Sequence, residues 1–87
     1  MIIQNKKLIG LIVETQSGEL LGRVSSFLVN TETHEVEQYE VGSSLMKQFL
    51  GKTFLINRKQ VIEIKKDKIV VEDGVVKELN LQTVVDV

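Results

Sequence analysis

The feature that most constrains the fold of this chain is its pattern of short apolar runs, rich in β-branched residues and separated by brief polar clusters. Runs of this kind are typical of β-strands. No segment is long enough to form a helix that crosses between parallel neighbours, so the pattern favours antiparallel pairing. We therefore predict an all-β fold, a small six-stranded antiparallel barrel, with strands over residues 7–14, 20–30, 35–41, 53–56, 61–66 and 69–72.

The alternation of apolar and polar side chains is regular in one of these strands and blurred in two others. Ile62 and Ile64 are separated by a charged residue, which predicts that both isoleucines face the core. The first strand has apolar residues on both faces, among them Leu8 and Ile12, and residues 27–29 are apolar on both faces of the second. Because such strands are covered on both sides, we expect the C-terminal segment or another protein chain to supply the second cover.

Two segments do not follow the strand pattern. Residues 43–50 have the spacing of one or two helical turns, and Gly51 is a suitable stop. Four large apolar side chains lie on one face of that turn: Leu45, Met46, Phe49 and Leu50. Residues 75–87 fit either a short amphipathic helix or a closing strand, and both alternatives stay open.

The length of the chain, 87 residues, predicts a single domain over residues 1–87 with its core over about 7–75. A domain of this size buries only about 60% of the surface that its unfolded chain exposes, so its core is thin. Burial of further apolar surface against a partner or a second copy would therefore add stability.

Composition narrows the functional classes. The chain has no cysteine, which excludes disulfide bonds and thiolate metal sites and fits a reducing compartment. Its 11 basic and 12 acidic residues give a net charge of −1, unlike the basic excess of dedicated nucleic-acid binders. The N-terminus has no signal-peptide pattern, and no apolar run approaches the roughly 18 residues of a membrane span. We expect a cytoplasmic protein with no membrane partner.

The stretch ETQSGELLGRV, residues 14–24, is the most motif-like part of the sequence. A phosphate-binding loop needs four residues between its glycines, followed by Lys and Ser or Thr. Here three residues separate Gly18 from Gly22, and Arg23 and Val24 follow. We therefore interpret the stretch as a hairpin that Gly18 turns and Gly22 bends.

No catalytic, cofactor-binding or metal site is predicted. His34, the only histidine, is flanked by acidic residues, but Glu35 and Glu37 would project to the opposite side of a strand from it. No serine lies in a nucleophile-elbow pattern. We interpret His34 as an exposed turn residue and the chain as one without enzymatic activity.

The second half of the chain is basic, whereas residues 32–40 are acidic. Lysines at strand edges and hairpin tips protect edges from unwanted pairing. The separation of charge can also guide self-association or docking. A nucleic-acid surface would interleave these cations with stacking aromatic residues, and the few aromatics here form no such motif. The basic residues considered are Lys52, Arg58, Lys59, Lys65, Lys66 and Lys68.

The order of these features resembles the PRC-barrel domain family. In the first half, a glycine before an apolar strand, an acidic-glycine turn and a Leu-Gly-x-Val pattern match Gly10, Val13, Gly18, Leu21, Gly22, Val24 and Val29. The closing pattern, a Val-x-x-Ile strand followed by a charged turn and a Val-rich strand, matches Val61, Ile64, Ile69, Val70 and Val71. The chain departs from the family at Asn57-Arg58, where a proline is common, and at Asn30, where an acidic residue is common.

The resemblance covers about residues 7–75 and implies a compact SH3-like β-barrel with no shared catalytic residues. The family includes the cytoplasmic domain of the photosynthetic reaction-centre H subunit and the C-terminal domain of a small-subunit ribosome maturation factor. The present chain resembles the small stand-alone members.

Three functional hypotheses follow. The first is a protein–protein interaction module, a homodimer, with contacts from the 43–50 segment and the first strand through Leu8 and Ile12. The alternative reading of the 43–50 segment, a plug at one end of the barrel, stays open. The second hypothesis is an RNA-linked accessory factor in ribosome maturation or RNA processing, suggested by the family and the basic half. The third is a binder of a small ligand at the barrel mouth.

Overall fold

The part of the chain that the computed structural model describes, residues 1–43 and 53–75, contains six strands and two single helical turns, and residues 74–75 are also helical. The elements are α1 (Asn5–Leu8), β1 (Ile12–Thr15), β2 (Leu20–Val29), β3 (Val36–Gly42), β4 (Thr53–Asn57), a 3₁₀ turn (Arg58–Gln60), β5 (Val61–Ile64) and β6 (Lys68–Val71). The prediction of a six-stranded all-β fold is confirmed. The predicted helical turn at 43–50 and the element predicted at 75–87 lie almost entirely outside the described residues.

The strands form one sheet in the order β4-β3-β2-β1-β6-β5. Neighbours are antiparallel except β1 and β6, which run parallel with Ile12 opposite Lys68 and Thr15 opposite Val71. The prediction of a wholly antiparallel barrel is therefore wrong for this pair. Among the described strands β4 and β5 are not paired with each other, so the sheet curls like a barrel but is not closed.

The 3₁₀ turn explains the parallel pair. Because β4 and β5 each run opposite to β1, they share a direction, and the three-residue turn between them bends the chain without reversing it. The parallel partners, β1 and β6, are the first and last of the six described strands. The four strands between them connect the pair, so no crossover helix is needed. Asn57 and Gln60 hold the turn: the Asn57 side chain accepts from the Lys59 amide at 2.9 Å, and the Gln60 side chain accepts from the Asn57 amide at 2.8 Å.

The core lies on the concave face of the sheet, where alternate residues of each strand point inward. Pairing places Val24, Val41 and Phe54 in one inward row and Phe27, Tyr39 and Ile56 in the next. Of the residues that the structure describes, eight apolar side chains are at most 2% exposed: Val13, Leu21, Val24, Val41, Phe54, Ile56, Ile69 and Val71.

The first predicted strand begins later than expected. Residues 5–8 form a helical turn, with the Lys7 and Leu8 amides donating to the carbonyl of Gln4 at 2.9 and 3.0 Å. Gly10 follows with φ of 93°, a conformation that ends any extended run from residue 7. Leu8 and Leu11 are both buried, and a helical turn followed by a tight bend brings both to the core.

The predicted inward pair Ile62 and Ile64 is wrong for Ile62, whose side chain is 51% exposed. In β5, Val61 pairs with Val71 and Glu63 with Val70, so the register shifts between Val61 and Glu63. This bulge sets two residues of β5 against one of β6 and changes the phase of the alternation. Val61 and Ile64 pack against the core instead.

Candidate interaction surface

The turn between β1 and β2 uses its amide groups within the chain. Gly18 adopts φ of 92° there, a conformation that favours glycine. The amides of residues 16–19 donate in order to the Val71 carbonyl at 2.9 Å, Asp73 Oδ1 at 3.1 Å, the Thr15 carbonyl at 2.9 Å and Thr15 Oγ1 at 3.0 Å. A phosphate loop presents free amides to its anion. Here all four amides donate to groups of the chain itself, and one of their acceptors is the carboxylate of Asp73.

Asp73 fixes this turn to the chain that follows β6. Its Oδ1 accepts from the Ser17 amide at 3.1 Å and from Ser17 Oγ at 2.9 Å, across 56 residues of sequence. The hydrogen bond from the Ser17 amide, followed by that from its hydroxyl, lowers the pKa of the Asp73 carboxyl below its ordinary value. Ser17 and Asp73 therefore form a structural link between the first hairpin and the last strand.

Gly22 lies where β2 comes closest to the end of β3. A Cβ at this position would stand 1.9 Å from the carbonyl oxygen of Gly42 and 3.1 Å from Cα of Ser43. Since both contacts are with backbone, only glycine permits this approach. The second glycine of the motif therefore serves the packing of the strands.

His34 lies in the turn between β2 and β3 with φ of 65°. Its amide donates to the Asn30 carbonyl at 2.7 Å, and the Asn30 side chain accepts from the amides of Glu32 and Thr33 at 2.9 and 3.2 Å. Asn30, where the family commonly has an acidic residue, thus organises the turn. In the described part of the chain no three His, Cys, Asp or Glu side chains converge as a metal site would need.

Two cations of the predicted basic half are paired with carboxylates. Arg58 contacts Glu35 and, at 3.9 Å from its Nε, Oε2 of Glu37. Lys68 Nζ lies 2.7 Å from Glu14 Oε1 across the parallel strands, and this hydrogen bond raises the pKa of Lys68. Part of the basic half is therefore neutralised within the fold, and a role in RNA processing stays a prediction.

The residues predicted to contact a partner have different surroundings. Leu45, Met46, Phe49 and Leu50 lie outside the described residues. Leu8 is buried in the core of the single chain, and Ile12 is half-buried in β1 between β2 and β6. A partner that docks on the described surface without moving α1 therefore does not reach Leu8.

The convex face of β2, β3 and β4 exposes apolar side chains instead. Leu28 is 51% exposed and Leu55 39% exposed, and pairing through β3 places both on the face opposite Tyr39 and Phe54. Val29, the next residue of β2, is also exposed, but it pairs with Val36, which packs against the core, and so lies on the other face. We call Leu28 and Leu55 the outer-face patch.

The sequence carried a partial signal for this patch. Residues 27–29 are apolar on both faces of their strand, which indicated a second cover, whereas Leu55 has no such apolar neighbours on its own face of β4. Only the pairing of β3 with both strands brings Leu55 to the same face as Leu28. The sequence alone could not supply that pairing.

Comparison with known proteins gives one family match. Residues 2–77 match the family model described as PRC-barrel domain. A search of curated proteins found no match. Within residues 1–43 and 53–75, no helix has the length and apolar character needed to cross a membrane.

Proposed function

Since the chain belongs to the PRC-barrel domain family, we propose that it is a protein–protein interaction module that self-associates and has no catalytic activity of its own. The observation that carries the proposal is the outer-face patch, two exposed leucines, Leu28 and Leu55, on the convex side of the sheet. On this face Gln38 of β3 pairs with Leu28 and Glu40 of β3 pairs with Leu55. Exposed apolar side chains among polar neighbours are a feature of interaction sites.

The position of the patch at the end of the sheet supports a second copy as the partner. β4 is the terminal strand of the described sheet and pairs with β3 over five residues without a register shift. Its own five residues include no charged residue, proline or bulge, three of the features that protect terminal strands from pairing. The other terminal strand, β5, does have a bulge. A second copy that meets the β4 edge would also cover Leu55.

The size of the domain supports the same conclusion. A chain of 87 residues has a thin core, and apolar area buried between two copies stabilises each of them. Ser17 and Asp73, a hydroxyl and a carboxylate that lie close together, are hydrogen-bonded to each other in a structural link. The proposal therefore assigns the surface, rather than a pocket, to the function.

Substitution of the patch tests the proposal. Leu55→Lys is expected to weaken self-association at least tenfold, because the apolar contact of Leu55 would be lost and a charge would be buried in the interface. Ile62→Lys is the matched control, since Ile62 is also an exposed aliphatic residue but lies on β5 at the other end of the sheet. Sedimentation velocity over a concentration series measures both, and circular dichroism confirms that each variant is folded.

Two results would count against the proposal. One is a folded Leu55→Lys variant that associates as strongly as the parent chain. The other is an equal loss of association in the Ile62→Lys control, which would indicate a general effect of the added charge.

A further inference from the structure

We propose that the end of the molecule that contains α1 binds the surface of an anionic lipid bilayer. This inference concerns a surface separate from the outer-face patch and does not rest on self-association. It departs from the expectation of no membrane partner, which rested on the lack of a spanning segment in the sequence. Binding at a surface needs no such segment.

The first observation is a projecting apolar tip. Ile2 is 97% exposed, Met1 is also largely exposed, and Ile9 on the far side of α1 is partly exposed. Met1 and Ile2 border a cleft of about 450 Å³, and Ile9 borders a second cleft of about 340 Å³. Lys7 and Lys66 line both clefts, so the apolar residues and the lysines form one continuous surface.

The second observation is the charge around this tip. Lys7, Lys66 and Arg23 line the two clefts together with a single carboxylate, that of Asp67. The whole chain has a net charge of −1. The excess of positive charge at this end is therefore a local property and does not reflect the overall composition. Arg23 is held there, because its Nη1 donates to the carbonyl of Gly10 at 3.0 Å.

Cations around projecting aliphatic side chains match an anionic bilayer in two respects. Lysine and arginine meet the phosphate headgroups, and the aliphatic side chains enter the boundary with the acyl chains. A soluble polyanion would satisfy the cations but leave Ile2 in water. The projection of Ile2 therefore favours the bilayer over a nucleic acid.

Co-sedimentation of the full chain with vesicles is the first test. We expect binding to phosphatidylcholine vesicles that contain about a quarter phosphatidylglycerol, and little binding to pure phosphatidylcholine, because each lysine near an anionic surface adds to the affinity. Binding is expected to weaken as salt rises above ~0.15 M, where the Debye length falls below about 8 Å. Equal binding to neutral vesicles, or none to anionic ones, would overturn the proposal.

A pair of charge reversals tests the location. Lys66→Glu is expected to lower the partition coefficient about tenfold or more. Lys59→Glu makes the same change in net charge, but Lys59 precedes β5 whereas Lys66 follows it, so it should change partition less than threefold. An equal loss in both variants would overturn the assignment of the surface.

Insertion of Ile2 into the bilayer can be tested by fluorescence. The chain has no tryptophan, so one introduced tryptophan reports on its own surroundings. The single tryptophan of Ile2→Trp is expected to shift its fluorescence to shorter wavelength when anionic vesicles are added. Ile62→Trp, at an exposed position of β5, should show no shift. A shift only in the Ile62→Trp control, or binding to soluble polyphosphate without binding to vesicles, would reject the bilayer in favour of another partner.

Discussion

Gly22 and Gly42 lie close together where β2 pairs with the end of β3, yet only one of them requires the absence of a side chain. A Cβ on Gly22 would stand 1.9 Å from the Gly42 carbonyl oxygen, whereas a Cβ on Gly42 would have no atom of the described residues within 4 Å. Glycine is therefore required for packing at position 22 but not at position 42, although the sequence has glycine at both.

Alanine substitution should have different effects on stability at the two glycines. We expect Gly22→Ala to lower the free energy of unfolding by about 3 kcal/mol or more, because backbone must move to admit the methyl group. Gly42→Ala, the control, should change it by less than about 1 kcal/mol. Urea denaturation measures both, and similar values would show that the close approach at Gly22 is relieved at little cost.

The Asp73–Ser17 link predicts a dependence of stability on pH. Since the folded state lowers the pKa of Asp73, the link contributes stability above the ordinary aspartate pKa of about 3.9 and loses it as pH falls through the lower folded value. The stability difference between the parent chain and Asp73→Asn should therefore be present at neutral pH and decline below about pH 4.

Urea midpoints over a pH series measure that difference. Asp67→Asn is the matched control, because Asp67 lies in the turn before β6 rather than after it and has no described contact with Ser17. A difference for Asp73→Asn that stays constant between neutral and acid pH would mean that its charge is not part of the link.

Only part of this residue-level chemistry could be predicted from the sequence. The missing Lys-Ser after Gly22 was enough to argue against a phosphate loop, because that requirement is local. The partner of Ser17 could not be predicted, since Asp73 is 56 residues away and only the parallel pairing of β1 with β6 brings it close.

At the scale of elements, two consecutive residues of β4 have opposite environments, one in the core and one on the surface. Phe54 is 1% exposed and Leu55 is 39% exposed. We expect Phe54→Ala to lower the free energy of unfolding by about 3–5 kcal/mol through the cavity it leaves. Leu55→Ala should lower it by less than about 1 kcal/mol when measured on dilute protein.

Thermal or urea unfolding checks this pair, with each variant serving as the control for the other. Equal destabilisation would mean that Leu55 is as fully packed as Phe54, and the outer-face patch would lose its basis.

The strands were predictable in number and approximate position because short β-branched runs between polar clusters are local signals. The orientation of Ile62 was not, since a bulge depends on which residues of β6 it faces. The parallel pairing of β1 and β6 was also missed, because it follows from a three-residue turn that bends the chain between β4 and β5. These features are decided by tertiary pairing.

At the scale of the whole molecule, two surfaces with different chemistry lie on different elements. The outer-face patch is apolar and belongs to β2 and β4, whereas the α1 end combines aliphatic tips with lysines from α1 and the turn before β6. A self-associated pair would present two α1 ends, and two weak membrane contacts held together bind more tightly than one.

Light scattering of the unmodified chain over a concentration series tests self-association most directly. We predict that the weight-average molar mass rises with concentration towards twice that of one chain, and that Leu55→Lys shifts this rise to higher concentration. A molar mass that stays at that of a single chain up to high micromolar concentration would show that the chain does not self-associate.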